Sequence, residues 1–194
     1  MPTEARTARV TGVLSRRQPD LRVVLERITN AHNANAVLRT CDAAGVLHID
    51  LIGPEAEPFL INKAITTRAD KWLEIHEHAS TAACLAGLRE AGFRIAVTCL
   101  AEGAVDHTAM DYTKPTAIVF GNESDGVSAE ALALADVRLR IPMFGMAQSL
   151  NLSVSAGIIL YEAVRQRRAG GLYDAPRLSP AELEDYVRKW LGPS

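Results

Sequence analysis

The stretch PTAIVFGNESDGVS at 115–128, with RLRIPMFGMAQSLNLSVSAGIILYEAVRQRR at 138–168, sets the architecture. Ala117 to Phe120 is a short apolar run with β-branched residues that stops at Gly121, the pattern of a buried strand feeding a loop. Arg138 to Met143 opens on alternating Arg, Leu, Arg and Ile, as a strand does, and is closed by Pro142 and Gly145. A long apolar helix is expected from Ser149 to Val164, with the Ser149 hydroxyl capping the unpaired N–H groups of its first turn. Two strands thus end in glycine-containing loops beside a helix N-terminus. Open α/β sheets hold their ligands in such places.

Outward from this stretch the alternation repeats. Residues 3–17 suit a basic N-terminal helix, ended by Gln18-Pro19-Asp20, and Leu21 to Ile28 suits a first strand. A helix is expected from near Asn33 to Gly45, then a strand from His48 to Gly53. Residues 59–70 carry no clear pattern. Strands are expected at Lys71–His78 and Arg94–Leu100, and helices at Ser80–Glu90 and Ser128–Ala135. Ser179-Pro180-Ala181-Glu182 is a capping box with proline at the first helical position, opening a helix to about Leu191. Strands alternating with helices predict an α/β fold with a mainly parallel sheet and helices on both faces.

The 194 residues are 48% apolar and 23% charged, as in an ordinary folded domain. No apolar run reaches about 18 residues, so no membrane span is expected. The start MPTEARTARV has no apolar secretory segment. Cys41, Cys84 and Cys99 are odd in number and form no CxxC pair, so reduced thiols and a cytoplasmic location are expected. Charge is segregated: residues 1–27 hold six arginines against three acids, whereas residues 28–161 hold nine bases against fifteen acids. Terminal arginines suit phosphates, or simply a solvated helix face.

Several chemistries find no support. GxGxxG and GxxxxGK[ST] loops are absent, as are GxSxG and Cys/His nucleophile arrangements. His76 and His78 would share one strand face, but no further ligand stands at metal spacing, so no metal is expected. Four polar residues remain. Arg39 falls among Val37, Leu38 and Cys41, where a half-buried arginine needs a partner or a task. Glu123 follows the central strand, and Ser149 and Asn151 open the long helix. Taken singly, each has a plain explanation: ion-pair member, solvated acid, cap and first-turn residue.

Together they form a pattern. Asn33, five residues, then Arg39-Thr-Cys-Asp; IVFGNESDGVS; and IPMFGMAQSLNLSVSAGIILYEA resemble the three motifs of the SpoU/TrmH family of the SPOUT superfamily, which are S-adenosylmethionine-dependent RNA 2′-O-ribose methyltransferases. The resemblance covers nearly the whole chain. It implies one methyltransferase domain over 1–194 with helical extensions at about 1–19 and 170–194, a deep C-terminal trefoil knot, and a homodimer. It implies a tRNA substrate, methylated on the ribose of guanosine 18 in the D-loop. A 2′-O-methyltransferase for the tRNA wobble position or rRNA is the alternative within the family, and an RNA-binding protein without catalysis the alternative outside it.

The resemblance also assigns residues. The methyl donor is expected against Thr98, Cys99, Leu100, Gly121, Ile141, Met143, Ser149 and Leu150, with Gly121 allowing close backbone approach. Arg39 is placed at the reacting hydroxyl, either as proton acceptor or as a cation stabilising the developing alkoxide. An arginine, with a pKa above about 12, is a poor base. Asn33 is expected to hold Arg39, while Glu123, Ser149 and Asn151 shape the donor and ribose pocket. Arg6, Arg9, Arg16, Arg17, Arg165 and Arg168 are expected to meet RNA. Where many family members carry a Gly-Ser stretch before Lys-Trp, this chain reads Thr66-Thr67-Arg68-Ala69-Asp70-Lys71-Trp72.

Overall fold

A computed structural model describes residues 2–53 and 69–192. The chain runs α1 (Glu4–Leu14), β1 (Leu21–Glu26), α2 (Ala31–Ala44), β2 (His48–Ile52), β3 (Glu74–His78), α3 (Thr81–Glu90) and β4 (Arg94–Thr98). It continues through β5 (Val105–Asp106), β6 (Thr116–Phe120), α4 (Ala129–Ala133), β7 (Val137–Arg140), α5 (Leu152–Ala169) and α6 (Pro180–Leu191). The strands form one sheet in the order β3-β2-β1-β6-β4-β7-β5, with every pairing parallel.

Both sheet faces are covered, as a parallel sheet requires. On one face α2 and α5 pack together through Ala34, Val37, Leu38, Cys41, Ala156, Ile159, Leu160 and Ala163. On the other, Cys84, Leu85 and Leu88 of α3 and Ala131 of α4 cover Val24, Ile95, Val97 and Val119. A third cluster joins α1 to α6 through Val10, Leu14, Leu178 and Trp190.

Beneath the sheet, Arg167 of α5 is fully buried and every N–H is used. It donates to the carbonyls of Tyr112, Asp20 and Lys114, to Gln18 Oε1 at 3.0 Å and to Asp20 Oδ1 at 2.7 Å. A buried guanidinium is tolerable only when paired this completely. It ties the end of α5 to the starts of β1 and β6, which fixes the far end of α5 at the site.

Element boundaries moved where local chemistry outweighed periodicity. α2 begins before Asn33 because Asn30 Oδ1 accepts from the N–H groups of His32 and Asn33, at 2.9 and 3.2 Å. α5 begins at Leu152 rather than Ser149: the cap is Asn151, whose Oδ1 accepts from Ser153 N at 2.9 Å. β7 stops at Arg140, leaving Ile141 to Met143 outside the strand. Lys71 and Trp72 belong to a 3-10 turn rather than to β3. β5, two residues long, is too short to show a period. Most of 59–70, including Thr66 to Arg68, lies outside the described residues. Among the described residues no helix is long and apolar enough to cross a membrane.

Candidate functional site

β4, β6 and β7 end side by side, and their continuations line a cavity of about 410 Å³. Thr98, Cys99 and Leu100 extend β4, Gly121 extends β6, Ile141 and Met143 extend β7, and Ser149 and Leu150 precede α5. All eight residues expected at the donor line this cavity. Its size falls within the usual range for small-molecule sites, roughly 300–1,000 Å³, and it lies at the carboxyl ends of the strands.

The loop after β6 is bound back on itself. Asn122 and Gly126 exchange backbone hydrogen bonds of 2.9 Å, and Asn122 Oδ1 accepts from Ser124 N at 2.8 Å. A Cβ on Gly121 would lie 2.2 Å from Gly126 C and Val127 N. The close approach that requires glycine at 121 is therefore made by the chain's own loop. Below it, buried Glu26 accepts from the Ser128 N–H at 2.8 Å and from the hydroxyls of Ser128 and Thr81. That carboxylate anchors the loop's far end to α3.

Residues from the three motifs meet at the cavity's rim. Asn33 Nδ2 donates to Glu123 Oε1 at 2.9 Å, and Asn151 Nδ2 donates to Asn33 Oδ1 at 3.2 Å. An ionised carboxylate only accepts, so Asn33 must turn its amide nitrogen to Glu123 and its oxygen to Asn151. Asn151, whose oxygen is held by Ser153, then has only its nitrogen to offer. The direction of the whole chain of bonds follows from Glu123.

Arg39 corrects two expectations. It is exposed, not half-buried: the buried face of α2 runs through Ala34, Val37, Leu38 and Cys41, and Arg39 projects away from it. Nor does Asn33 hold it, because the Asn33 amide is occupied by Glu123 and Asn151. Among the described residues no hydrogen bond or ion pair restrains the Arg39 guanidinium, which leaves it available to a ligand.

The arginines expected to meet RNA divide. Arg6, Arg9, Arg16 and Arg168 are exposed. Arg17 is fully buried: it donates to the carbonyls of Asp42, Val46 and Trp72, pairs with the Asp42 carboxylate and lies 5.2 Å from the Trp190 ring. It is a core residue, and its place at the turn after α1 gave no hint of that. Arg165 is exposed but engages Glu162 through two 2.8 Å bonds, which hold the Glu162 carboxyl down at about 2. A second cavity, about 450 Å³, lies between α1 and α6 against Arg6, Arg9, Trp72 and Trp190.

Two residues that pattern did not single out belong to the site. Asn122 had shown only as the residue before Glu123, yet it forms the loop's turn and donates to the Arg27 carbonyl at 2.8 Å. Arg27 itself has φ 52°, the only positive value at a non-glycine position among the described residues. A strand followed by Asn or Asp in that position is the usual sign of such a turn, and arginine conceals it.

Comparison with known proteins gives the family and the fold. The SpoU rRNA Methylase family model matches residues 20–161. The chain is 48% identical over 189 residues to the tRNA (guanosine(18)-2'-O)-methyltransferase of Thermus thermophilus, covering 97% of each. The crystal structure of the A. aeolicus TrmH/SpoU tRNA modifying enzyme superposes with a TM-score of 0.92 at 44% identity, covering 97% of this chain and 95% of that one. The AdoMet-bound rRNA methyltransferase from Sinorhizobium meliloti superposes at 0.69 with 34% identity, covering 82% of this chain and 60% of that one.

Proposed function

The chain belongs to the SpoU methylase family, and from that premise we propose that it methylates the ribose 2′-hydroxyl of guanosine 18 in tRNA, using S-adenosylmethionine. The observation that carries the reading is the meeting of Asn33, Glu123 and Asn151 at the rim of the cavity lined by the eight residues expected at the donor. Close likeness over nearly the whole length to a guanosine-18 enzyme supports the substrate.

The cavity suits the donor. Leu100, Ile141, Leu150 and Leu132 offer apolar walls, and the ends of three parallel strands offer backbone groups for an adenine edge. When bound, the donor supplies an electrophilic methyl on a sulfonium. The chain's own task is to align the attacking oxygen and to handle its charge. Asn33, Glu123 and Asn151 hold one another rigid and so shape the ribose pocket. Ser149, exposed beside the cavity, faces the same space. Arg39 meets the hydroxyl or its flanking phosphate and stabilises the alkoxide as it develops.

Further parts of the reading follow from the family. The domain is one catalytic unit flanked by α1 and α6. It carries a deep C-terminal trefoil knot, supported by a strand order in which β6 and β7 are both inserted between earlier strands. It works as a homodimer: Phe144, Met146, Leu100, Val154 and Tyr161 leave large apolar side chains exposed near the cavity and along α5. Arg6, Arg9, Arg16 and Arg168 contact tRNA, in the cytoplasm.

The test is methyl transfer from labelled donor to tRNA transcripts, with the product mapped by position. Methylation at guanosine 18, abolished by a 2′-deoxy substitution there, is the expected result. Transfer to the wobble position or to rRNA alone would overturn the substrate, and donor binding without transfer to any RNA would overturn the reaction.

A further inference from the structure

We infer that Arg27 grips an RNA phosphate next to the target nucleotide, an inference that rests on the methyltransferase reading above. The residue follows β1 directly. Leu25 pairs with Phe120, so Arg27 stands abreast of Asn122 at the carboxyl edge of the sheet. Glu123, the next residue, belongs to the hydrogen-bonded cluster that shapes the ribose pocket.

The backbone of Arg27 is fixed from both sides. Its N–H donates to the Ile52 carbonyl at 2.8 Å, and its carbonyl accepts from Asn122 Nδ2 at 2.8 Å. Together with buried Glu26 just before it, these bonds hold φ at 52°. That region crowds the Cβ of any side chain against the following carbonyl and costs least for glycine or asparagine. The fold thus needs the turn but not the arginine. A long cation at a position that asparagine would occupy more comfortably points to a task for the guanidinium.

The surroundings indicate which task. The side chain is exposed, and among the described residues the bonds at Arg27 are all made by its backbone. Arg140, at the end of β7, is a second exposed cation of this edge and lines the cavity. Two acids at the same edge, Glu123 and Asp125, repel a polyanion, and Arg140 alone does not outweigh them. A nucleic acid that must place a ribose at this rim therefore needs a counterweight, and a planar fork of N–H donors suits a phosphodiester. Contacts of this kind position the strand without reading its sequence.

The test compares Arg27→Gln, which removes the charge and keeps the strain, with Arg27→Asn, which removes both. Both are expected to bind a tRNA transcript about tenfold more weakly at moderate salt and to lower the slope of log affinity against log salt by about 0.7–0.9, one phosphate contact. Donor affinity should stay within twofold in both, and only Arg27→Asn should raise the melting temperature. Arg27→Lys should keep most of the slope. An unchanged salt slope in both variants would overturn the inference while leaving the enzyme reading intact, as would a loss confined to donor affinity. A wild-type protein that binds no tRNA would overturn both together.

Discussion

Asn33 and Glu123 stand 90 positions apart and meet through a 2.9 Å hydrogen bond in which the amide donates and the carboxylate accepts. The bond joins the first turn of α2 to the loop after β6. Asn151, from the cap of α5, extends it on the other side of Asn33. Three elements that approach the cavity from different parts of the chain are thereby held in one register.

Asn33→Asp tests that register. The substitution is nearly isosteric but sets two carboxylates against each other, which raises the affinity of the pair for a proton. Turnover is expected to fall about 10²-fold at neutral pH, the scale on which a misplaced catalytic group is felt. It should recover in part as pH falls, because a protonated acid at 33 again donates to Glu123. Melting temperature should change little, since the cluster is exposed. A flat pH–rate profile relative to wild type would sink the account.

Gly121→Ala tests the loop. The added methyl would sit 2.2 Å from backbone atoms of Gly126 and Val127, which have no flexible side chain to yield. The hairpin of 122–126 must open, at a cost of about 1–3 kcal/mol, the usual scale for overpacking. Because the same loop lines the cavity, donor affinity should fall at least about tenfold. Calorimetric titration with the donor, beside urea unfolding, measures both. Normal affinity with normal stability would show that the loop is free to shift.

A histidine pair far from the cavity predicts how stability follows pH. His48 Nδ1 and His76 Nε2 are 3.1 Å apart, so at least one ring must be neutral. Burial first, then Arg22 and His76, lower the His48 pKa from 6.5 to about 4, and burial and Arg22 lower that of His76. Between about 4 and 6.5 the unfolded chain therefore binds more protons than the folded one. Stability is full above about pH 6.5 and is lost as pH falls toward 4. Urea midpoints measured from pH 7.5 to 4.5 should decline, and His48→Gln should flatten the decline. Equal slopes in the two proteins would remove His48 from the cause.

The α/β pattern and the strand ends were legible in the sequence because they rest on local signals, apolar runs and glycine stops, whereas the cavity lining was expected only from the resemblance of the motifs. Other features were not legible. Arg17 read as a surface cation and Arg167 drew no notice, since burial of an arginine depends on carbonyls gathered from several distant elements. Asn151, not Ser149, caps α5, a choice between adjacent residues that only the path of the loop settles. The partners of Asn33 were misassigned for the same reason. A helix period shows which face a residue takes, and not what lies across from it.

Arg39→Ala bears most directly on the chemistry. If Arg39 were a structural ion-pair member, its loss would lower stability and leave turnover per folded molecule near normal. The exposure of Arg39 and its lack of a partner among the described residues argue against that role, and an exposed substitution of this kind usually changes stability by less than about 0.5 kcal/mol. Donor affinity should hold, because Arg39 is not among the residues lining the cavity. What should fall is kcat, by at least about 10²-fold, as when one group that stabilises developing charge is removed. Arg39→Lys should recover little, since it restores a point charge without the planar fork. The deciding measurement is kcat corrected for folded fraction, with melting temperature and donor affinity taken on the same preparation. A corrected kcat within a few-fold of wild type would remove Arg39 from the chemistry.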